Sequence, residues 1–505
     1  MTAHDIPHES ESHGFAARVR SAVFWRWGSQ VLSQLITWAS TILVVRLLSP
    51  HDFGLFAMTQ AVLTALNFVN GYSFATSLIR ARTVDERRIG QVFGLLIVSN
   101  VLLAATQFLA APLAAAYYGQ PMVADMLRVQ ALIFLTTPFI ALPSSLLARE
   151  LQFRSQALVN LVCATTGAGV ALTLAWLGYG VWALVFAPIA LFAVRGLGLT
   201  IAAGGLVRPT FDFRGARDIV SFGTALTVCQ LFWIIQSQSD IVIAGRAFTP
   251  HDLGLYSESL FLVLIFTGRF LPPLNEVAFP AYAELANGGK PIGPAFIASA
   301  RMTMLVAAPF YVGLSLVAGP LVETFFGPKW HEMIPIVAGL AIAMPAMALQ
   351  IVCSPATNAL GRPAIYVATN ACGAVIMPMC FFFAVARGPA GLVDAWHVAA
   401  PLLLVVTLAV TLPAIGARFR DLAVALAPAA VGCLAMALVV WGIELAEPPL
   451  PAPILLLLLT AAGAATYAAT LWLLWPSLIR EGWAMLRKPK APPESPPAVA
   501  PEAAA

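Results

Sequence analysis

The sequence predicts an all-α polytopic membrane protein of about 14 transmembrane helices, arranged as two parallel six-helix repeats plus two C-terminal helices. Three observations carry this. The 505-residue chain is 60% hydrophobic and only 10% charged, whereas soluble globular chains carry about a quarter charged residues. Apolar runs of about 20 residues, each long enough to cross a bilayer, recur along it. One segment occurs twice: Arg46-Leu47-Leu48-Ser49-Pro50-His51-Asp52-Phe53-Gly54-Leu55-Phe56 returns as Arg246-Ala247-Phe248-Thr249-Pro250-His251-Asp252-Leu253-Gly254-Leu255-Tyr256. Tyr117-Tyr118-Gly119-Gln120-Pro121 and Phe325-Phe326-Gly327-Pro328-Lys329 echo one another at nearly the same offset. Membrane chains built from two similar halves usually move something between them.

The spans read, in order, as Trp27–Leu48, Leu55–Ile79, Val92–Ala116, Met122–Leu147, Ala157–Leu177 and Trp182–Ala203 in the first half. The second half reads Ile219–Ala244, Leu255–Leu274, Ala298–Glu323, Ile334–Ser354, Ala364–Ala386 and Val393–Ile415. Leu422–Ile443 and Ile454–Leu474 stand outside the repeat. The implied organisation is a leader over 1–22, a first bundle over 23–207, a linker over 208–217, a second bundle over 218–417, two further helices within 418–478, and a Pro/Ala-rich tail over 479–505 expected to be disordered.

Basic residues in short loops set the orientation. Arg18 and Arg20, Arg80 to Arg88, Arg149 and Arg154, Arg208 to Arg217, Arg362, Arg418 and Arg420, and Arg487 to Lys490 all fall on one side when the span count is even. Both termini are then cytoplasmic. Six spans per half is an even number, so the halves enter the membrane the same way round and both repeat copies lie at the outer face. The first apolar run is expected to be a full span rather than a cleaved leader. Net charge +4 is small and spread over loops, which speaks against nucleic-acid binding. Six single cysteines without a C-x-x-C pair read as packing residues. No Gly-rich phosphate loop or H-E-x-x-H is present, so neither a cofactor nor a metal is expected. The short polar loops leave no room for a soluble catalytic domain, and the chain is not expected to be an enzyme.

Ionisable groups at membrane depth are the candidate functional residues, because a charge in hydrocarbon costs several kcal/mol. Arg26, Arg46, Arg128, Arg195, Asp240, Arg246, Glu258, Arg269, Arg301 and Asp394 qualify. Arg outnumbers acid, and guanidinium matches phosphate bidentately while staying charged, so an Arg-lined cavity would favour an anion. The alternative is that several snorkel to headgroups from helix ends, which suits Arg128, Arg195 and Arg301 best. Asp240 has Ser40 as its counterpart in the first half, so the acid belongs to one half only. It could relay a proton or bind a cation, or pair with an Arg and hold two helices together. The Pro residues within the spans, such as Pro188, Pro272, Pro273 and Pro309, are candidate hinges or tolerated kinks. His51-Asp52 and His251-Asp252 follow Ser/Thr-Pro at a helix start, where Asp acts as a cap rather than in a catalytic pair.

The repeat copies, Gly178-Tyr179-Gly180-Val181-Trp182-Ala183-Leu184, and Ser239-Asp240 with Gly245-Arg246 and Leu253-Gly254-Leu255-Tyr256 together resemble the polysaccharide-exporter branch of the multidrug/oligosaccharidyl-lipid/polysaccharide (MOP) superfamily, the Wzx-like oligosaccharide flippases. The resemblance covers roughly residues 20 to 480. It implies two six-helix bundles around a central cavity open alternately to each side. The implied cargo is an undecaprenyl-diphosphate-linked oligosaccharide for lipopolysaccharide or exopolysaccharide biosynthesis, with polysaccharide polymerase and export machinery as further partners. It implies a diphosphate-binding set of Arg26, Arg46, Arg246 and Arg269, and a lipid-tail groove in the last two helices. Asp240 and Glu258 are the candidates for coupling or helix pairing. An alternative is a cation-coupled multidrug or metabolite antiporter of the same superfamily, which would want acidic residues in the cavity. A membrane glycan polymerase or ligase is more distant, since such enzymes typically need a large periplasmic loop.

Overall fold

The computed structural model describes residues 8–67, 85–150, 152–205, 207–212, 217–446 and 449–478, and within them the side chains other than those of 8–27, 153, 217–230 and 363. Every regular element among these residues is helical. The first half runs α1 (His8–Leu47), α2 (Pro50–Asn67), α3 (Glu86–Tyr118), α4 (Pro121–Gln130), α5 (Leu132–Thr136), α6 (Pro138–Arg149), α7 (Phe153–Trp176) and α8 (Trp182–Ala202). The second runs α9 (Arg217–Ala247), α10 (Pro250–Asn287), α11 (Gly293–Leu316), α12 (Ala318–Phe325), α13 (Ile334–Ala359), α14 (Pro363–Ala384) and α15 (Gly388–Ile415), followed by α16 (Phe419–Leu445) and α17 (Ala452–Leu474).

Eleven helical stretches among the described residues are long and apolar enough to cross a membrane. One of them, Ala364–Ile415, holds both the eleventh and twelfth expected spans, folded back at a 3-10 turn over Val385–Arg387 and at Gly388 with φ 72°. The second expected span, Leu55–Ile79, coincides with α2 as far as Asn67, and residues 68–79 lie outside the described residues. The fourth is not one rod. It breaks into α4, α5 and α6, with Pro138 opening the last piece, because a Pro ring offers no N–H to continue the ladder. The ninth likewise ends at Leu316 and resumes as α12 after Val317. Of the leader expected over 1–22, residues 8–22 belong to α1 and residues 1–7 lie outside the described residues, as does the tail expected over 479–505.

In the first half α7 packs between α1 and α8, while in the second α13 packs against α10, α11 and α15. α16 lies on α11, and α17 packs against α16 and α12 and also reaches α11, where Tyr467 Oη donates to the Leu305 carbonyl at 2.8 Å, so the two extra helices pack on the second half. The halves meet along α2 and α10, with α9 also touching α2. The connecting segment is held to the first half: Thr210 N donates to Gly90 O at 2.9 Å, Gln91 donates to the Asp212 carbonyl, and Arg87 pairs with the Asp212 carboxylate at 3.0 Å. Gly90 and Gly94 admit this segment. A Cβ on Gly94 would stand 2.3 Å from the Thr210 carbonyl oxygen.

Candidate functional site

The repeated segment builds the junction between the halves. In each copy the hydroxyl residue and the Asp three positions on cap the helix reciprocally: Ser49 N donates to Asp52 Oδ2 at 3.0 Å while Asp52 N donates to Ser49 Oγ at 3.4 Å. Thr249 and Asp252 repeat the arrangement, with Thr249 Oγ1 donating to Asp252 Oδ2 at 2.8 Å and Asp252 N donating back to the hydroxyl at 3.2 Å. The caps start α2 and α10, and the helices then cross four residues later. A Cβ on Gly54 would lie 1.7 Å from the Pro250 carbonyl oxygen, and one on Gly254 would lie 1.8 Å from that of Pro50. Only two glycines let the backbones touch, the small-residue device of membrane helix pairs. Asp52 Oδ1 also accepts from Val181 N at 3.1 Å, tying the first copy to the Gly-Tyr-Gly-Val turn.

The repeat arginines reach across this junction in opposite directions. Arg46 Nε donates to the Phe325 carbonyl at 3.0 Å and Arg46 Nη2 to that of Thr324. Arg246 Nη1 donates to the Tyr117 carbonyl at 3.1 Å, and its guanidinium sits 5.1 Å over the Tyr117 ring. Their acceptors are the two echo segments. Each repeat Arg of one half therefore binds the echo of the other. Tyr117 Oη to the Val242 carbonyl, Trp330 Nε1 to the Val45 carbonyl at 3.1 Å, and the Phe53–Trp330 edge contact at 5.4 Å complete the seal.

Beneath it lies a cavity of about 610 Å³ between α1 of the first half and α10 and α12 of the second. Val45, Phe325 and Phe326 close its repeat end. Its wall is mainly apolar, with Gln34, Thr37, Trp38 and Thr41 on α1 facing Glu258 and Arg269 on α10. Thr37 and Thr41 hydroxyls donate to the carbonyls of Ser33 and Thr37, one turn back. Among the described residues, Gln34, Glu258 and Arg269 have no hydrogen-bond or ion-pair partner. Polar groups left unpaired in a mostly apolar cavity point to a ligand that supplies the missing partners.

The expected diphosphate set is therefore divided. Arg269 lines the cavity; Arg46 and Arg246 are engaged at the seal; the Arg26 side chain lies outside the described residues. The two candidate acids separate as well. Glu258 faces the cavity, whereas Asp240 is 1% exposed inside the second half. Tyr256 Oη donates to Asp240 Oδ2 at 2.9 Å, Trp396 Nε1 donates to Tyr256 Oη at 2.8 Å, and Ile241 N donates to Asp240 Oδ1. Asp240 thus joins α9, α10 and α15 through neutral donors rather than through an Arg. Replacing Asp240 by Ala is expected to cost about 1–3 kcal/mol of stability, because the buried Tyr256 hydroxyl loses its acceptor, while Asp240→Asn costs much less. Thermal unfolding of the purified variants measures this. A stable Asp240→Asn that no longer transports would return Asp240 to the coupling role.

A second cavity, about 250 Å³, lies within the second half and is lined by neutral amides and hydroxyls including Gln236, Asn275, Asn370, Thr407 and Thr411. Gln236 Oε1, Asn275 Oδ1 and Thr407 Oγ1 are buried there without partners. The polar run from Gln236 to Asp240 is thus split between this cavity and the Asp240 network. Of the remaining charges, Arg128 pairs with Asp125 at 3.1 Å and lies over Phe108, and Arg387 pairs with Asp394 at 3.1 Å.

Sequence reasoning passed over Trp38 and Gln34. The available signal is the spacing of Gln34, Thr37, Trp38 and Thr41, polar or aromatic positions at i, i+3, i+4 and i+7 on one face of an otherwise apolar helix. It also passed over the crossing role of the repeat glycines, although both are identical between the copies.

Residues 43–335 match the model of a family described as polysaccharide biosynthesis protein. The chain is 26% identical over 320 residues to the succinoglycan biosynthesis transport protein ExoT of Rhizobium meliloti, covering 63% of this chain and 65% of that protein. It is 25% identical over 271 residues to the teichuronic acid biosynthesis protein TuaB of Bacillus subtilis, covering 53% of this chain and 56% of that one. These matches span less than two thirds of either relative's length. Among solved structures, the lipid II flippase MurJ in an inward closed conformation superposes with a TM-score of 0.75 at 13% identity, over 90% of this chain and 99% of MurJ. An inward-facing multidrug resistance MATE family transporter of the MOP superfamily superposes with a TM-score of 0.60 at 14% identity, over 76% of this chain and 94% of the other. At such identities the likeness shows a shared fold.

Proposed function

Because the chain belongs to the polysaccharide biosynthesis protein family, we propose that it is a multi-pass flippase that moves an undecaprenyl-diphosphate-linked oligosaccharide across the bacterial inner membrane by alternating access. The observation that carries the reading is the unpartnered guanidinium of Arg269 in a large cavity between two halves. The guanidinium faces a mostly apolar cavity with no counter-ion among its described lining other than Glu258 about three turns away, and a diphosphate supplies the bidentate acceptor that guanidinium geometry fits. Arg26, eight residues before Gln34 on the same helix, stands about two turns nearer the linker end and is proposed as a second phosphate partner.

With both termini cytoplasmic, the repeat end is the outer face, and the seal built by Arg46, Arg246 and the two glycines keeps that face shut. Cargo then enters from the cytoplasmic side, its diphosphate meeting Arg269 and its tail remaining in lipid beside α16 and α17. Release outward requires the seal to part and the halves to close at the linker end. The cargo drives this only insofar as it binds one state better than the other.

The test is complementation of a strain deleted for the gene. Wild type is expected to restore surface polysaccharide, whereas Arg269→Ala leaves lipid-linked oligosaccharide on the cytoplasmic leaflet at normal protein abundance. Full export by Arg269→Ala would remove the cationic-cavity mechanism. Transport of organic cations by the wild type, with surface polysaccharide intact in the deletion strain, would favour an antiporter instead.

A further inference from the structure

The cavity has two chemically different ends. Trp38 lies eight residues before Arg46 on α1, and Glu258 lies eight residues after Pro250 on α10. Both therefore sit about 12 Å below the seal, at one level on opposite walls. Arg269 follows Glu258 by eleven residues, about 16 Å further along the same helix and three turns on, so both point to one side. Among the described lining residues Arg269 is the single cation, and it lies far from the sealed end. At the sealed end the lining offers a carboxyl, an amide a turn below, and the Trp38 indole, which is 45% exposed and has no aromatic partner among the described residues.

We propose that Trp38, Glu258 and Gln34 form a sugar subsite at the sealed end of the cavity, distinct from the phosphate end at Arg269. The inference rests on the reading of the cargo as a phosphate-linked glycan and adds which part of it goes where. A pyranose ring carries C–H bonds on one face and hydroxyls around its rim. An indole accepts that face at low entropic cost, and its amphipathic character suits a half-wet wall. Carboxyl and amide groups bind adjacent hydroxyls in pairs, with both donors and acceptors available from Gln34. A phosphate finds no donor of matching charge at this level. A polyprenyl chain would leave Glu258 and Gln34 without partners, a penalty the sugar removes. The spacing from Arg269 exceeds one sugar ring, so a glycan longer than one residue is needed to touch both ends. The cargo then stands with its reducing end toward the linker side and its outer sugars against the seal.

The test uses the full chain in lipid nanodiscs with two probes, farnesyl diphosphate and farnesyl diphosphate carrying a β-linked glucose disaccharide. Wild type is expected to bind the glycosylated probe about tenfold more tightly, the worth of one or two good contacts. Trp38→Ala and Glu258→Leu should erase most of that preference and leave farnesyl diphosphate binding unchanged. Arg269→Ala should weaken both probes. Trp38→Phe and Glu258→Gln serve as milder variants if the first pair folds poorly, with partial loss of the preference expected. Equal weakening of both probes by the Trp38 and Glu258 variants would place the tail or phosphate there and overturn the subsite, as would a wild type that does not discriminate. Failure of wild type to bind either probe would instead overturn the phosphate-linked cargo itself.

Discussion

Alanine at Gly54 or Gly254 is expected to force the two halves apart at the repeat end. The added methyl would sit 1.7 Å from the Pro250 carbonyl oxygen in one case and 1.8 Å from the Pro50 oxygen in the other. Carbonyls held in the first turn of a capped helix cannot swing aside as a flexible side chain does. The helices must separate by about 1.5 Å to restore van der Waals contact, and overpacking of this kind costs about 1–3 kcal/mol or more. The loss spreads, because Leu55, Met58, Leu253 and Leu255, all nearly fully buried, pack around the crossing. The double variant should cost less than the sum of the singles, since one displacement relieves both clashes. Thermal unfolding of the purified protein checks the size of the effect. Gly28→Ala is the control: nothing lies within 4 Å of its would-be Cβ, so its stability should be unchanged or slightly raised.

Removing both repeat arginines should open the same end without unfolding the halves. Each Arg donates to carbonyls of the opposite half, and a charge-assisted bond at a partly exposed site contributes about 1 kcal/mol or somewhat more. Two such latches then bias the closed state by about 2–3 kcal/mol, which is roughly a 30- to 160-fold change in the open population. Val45, 2% exposed beneath the seal, is a suitable reporter. In a chain lacking the native cysteines, Val45→Cys should react with a membrane-impermeant maleimide roughly 30- to 160-fold faster when Arg46→Ala and Arg246→Ala are combined. Each single substitution should give about the square root of that factor. Lysine at position 46 retains the charge but loses the fork that spans Thr324 and Phe325, so it should resemble alanine more than wild type. Unchanged labelling in the double variant would mean the arginines do not hold the seal.

The repeat links these two predictions. It was legible as a duplication, and its Ser/Thr-Pro-His-Asp core was legible as a helix start, because capping is settled within a single turn. The crossing of Gly54 with Gly254 was not, since its partner lies two hundred residues away and a glycine carries no side-chain chemistry to read. The same distance hid the latch. Arg46 and Arg246 look like cavity cations in one dimension, but what a guanidinium binds depends on which backbone carbonyls the packing presents to it. Glu258 and Asp240, alike as intramembrane acids in the sequence, diverge for the same reason. One faces open space, and the other faces the Tyr256 hydroxyl.

By itself the sequence determined that this is an all-helical membrane protein of duplicated halves with two further helices, because hydrophobic run length, local capping and internal repetition are properties of contiguous residues. Only the tertiary structure decided how the repeat is used and where the cavity lies. It turned two arginines and two glycines into a seal and left Arg269, Glu258, Gln34 and Trp38 around a cavity between the halves. Those assignments depend on how α1, α2 and α10 pack across the junction, and side chains brought together from opposite halves have no shared local signal in the chain.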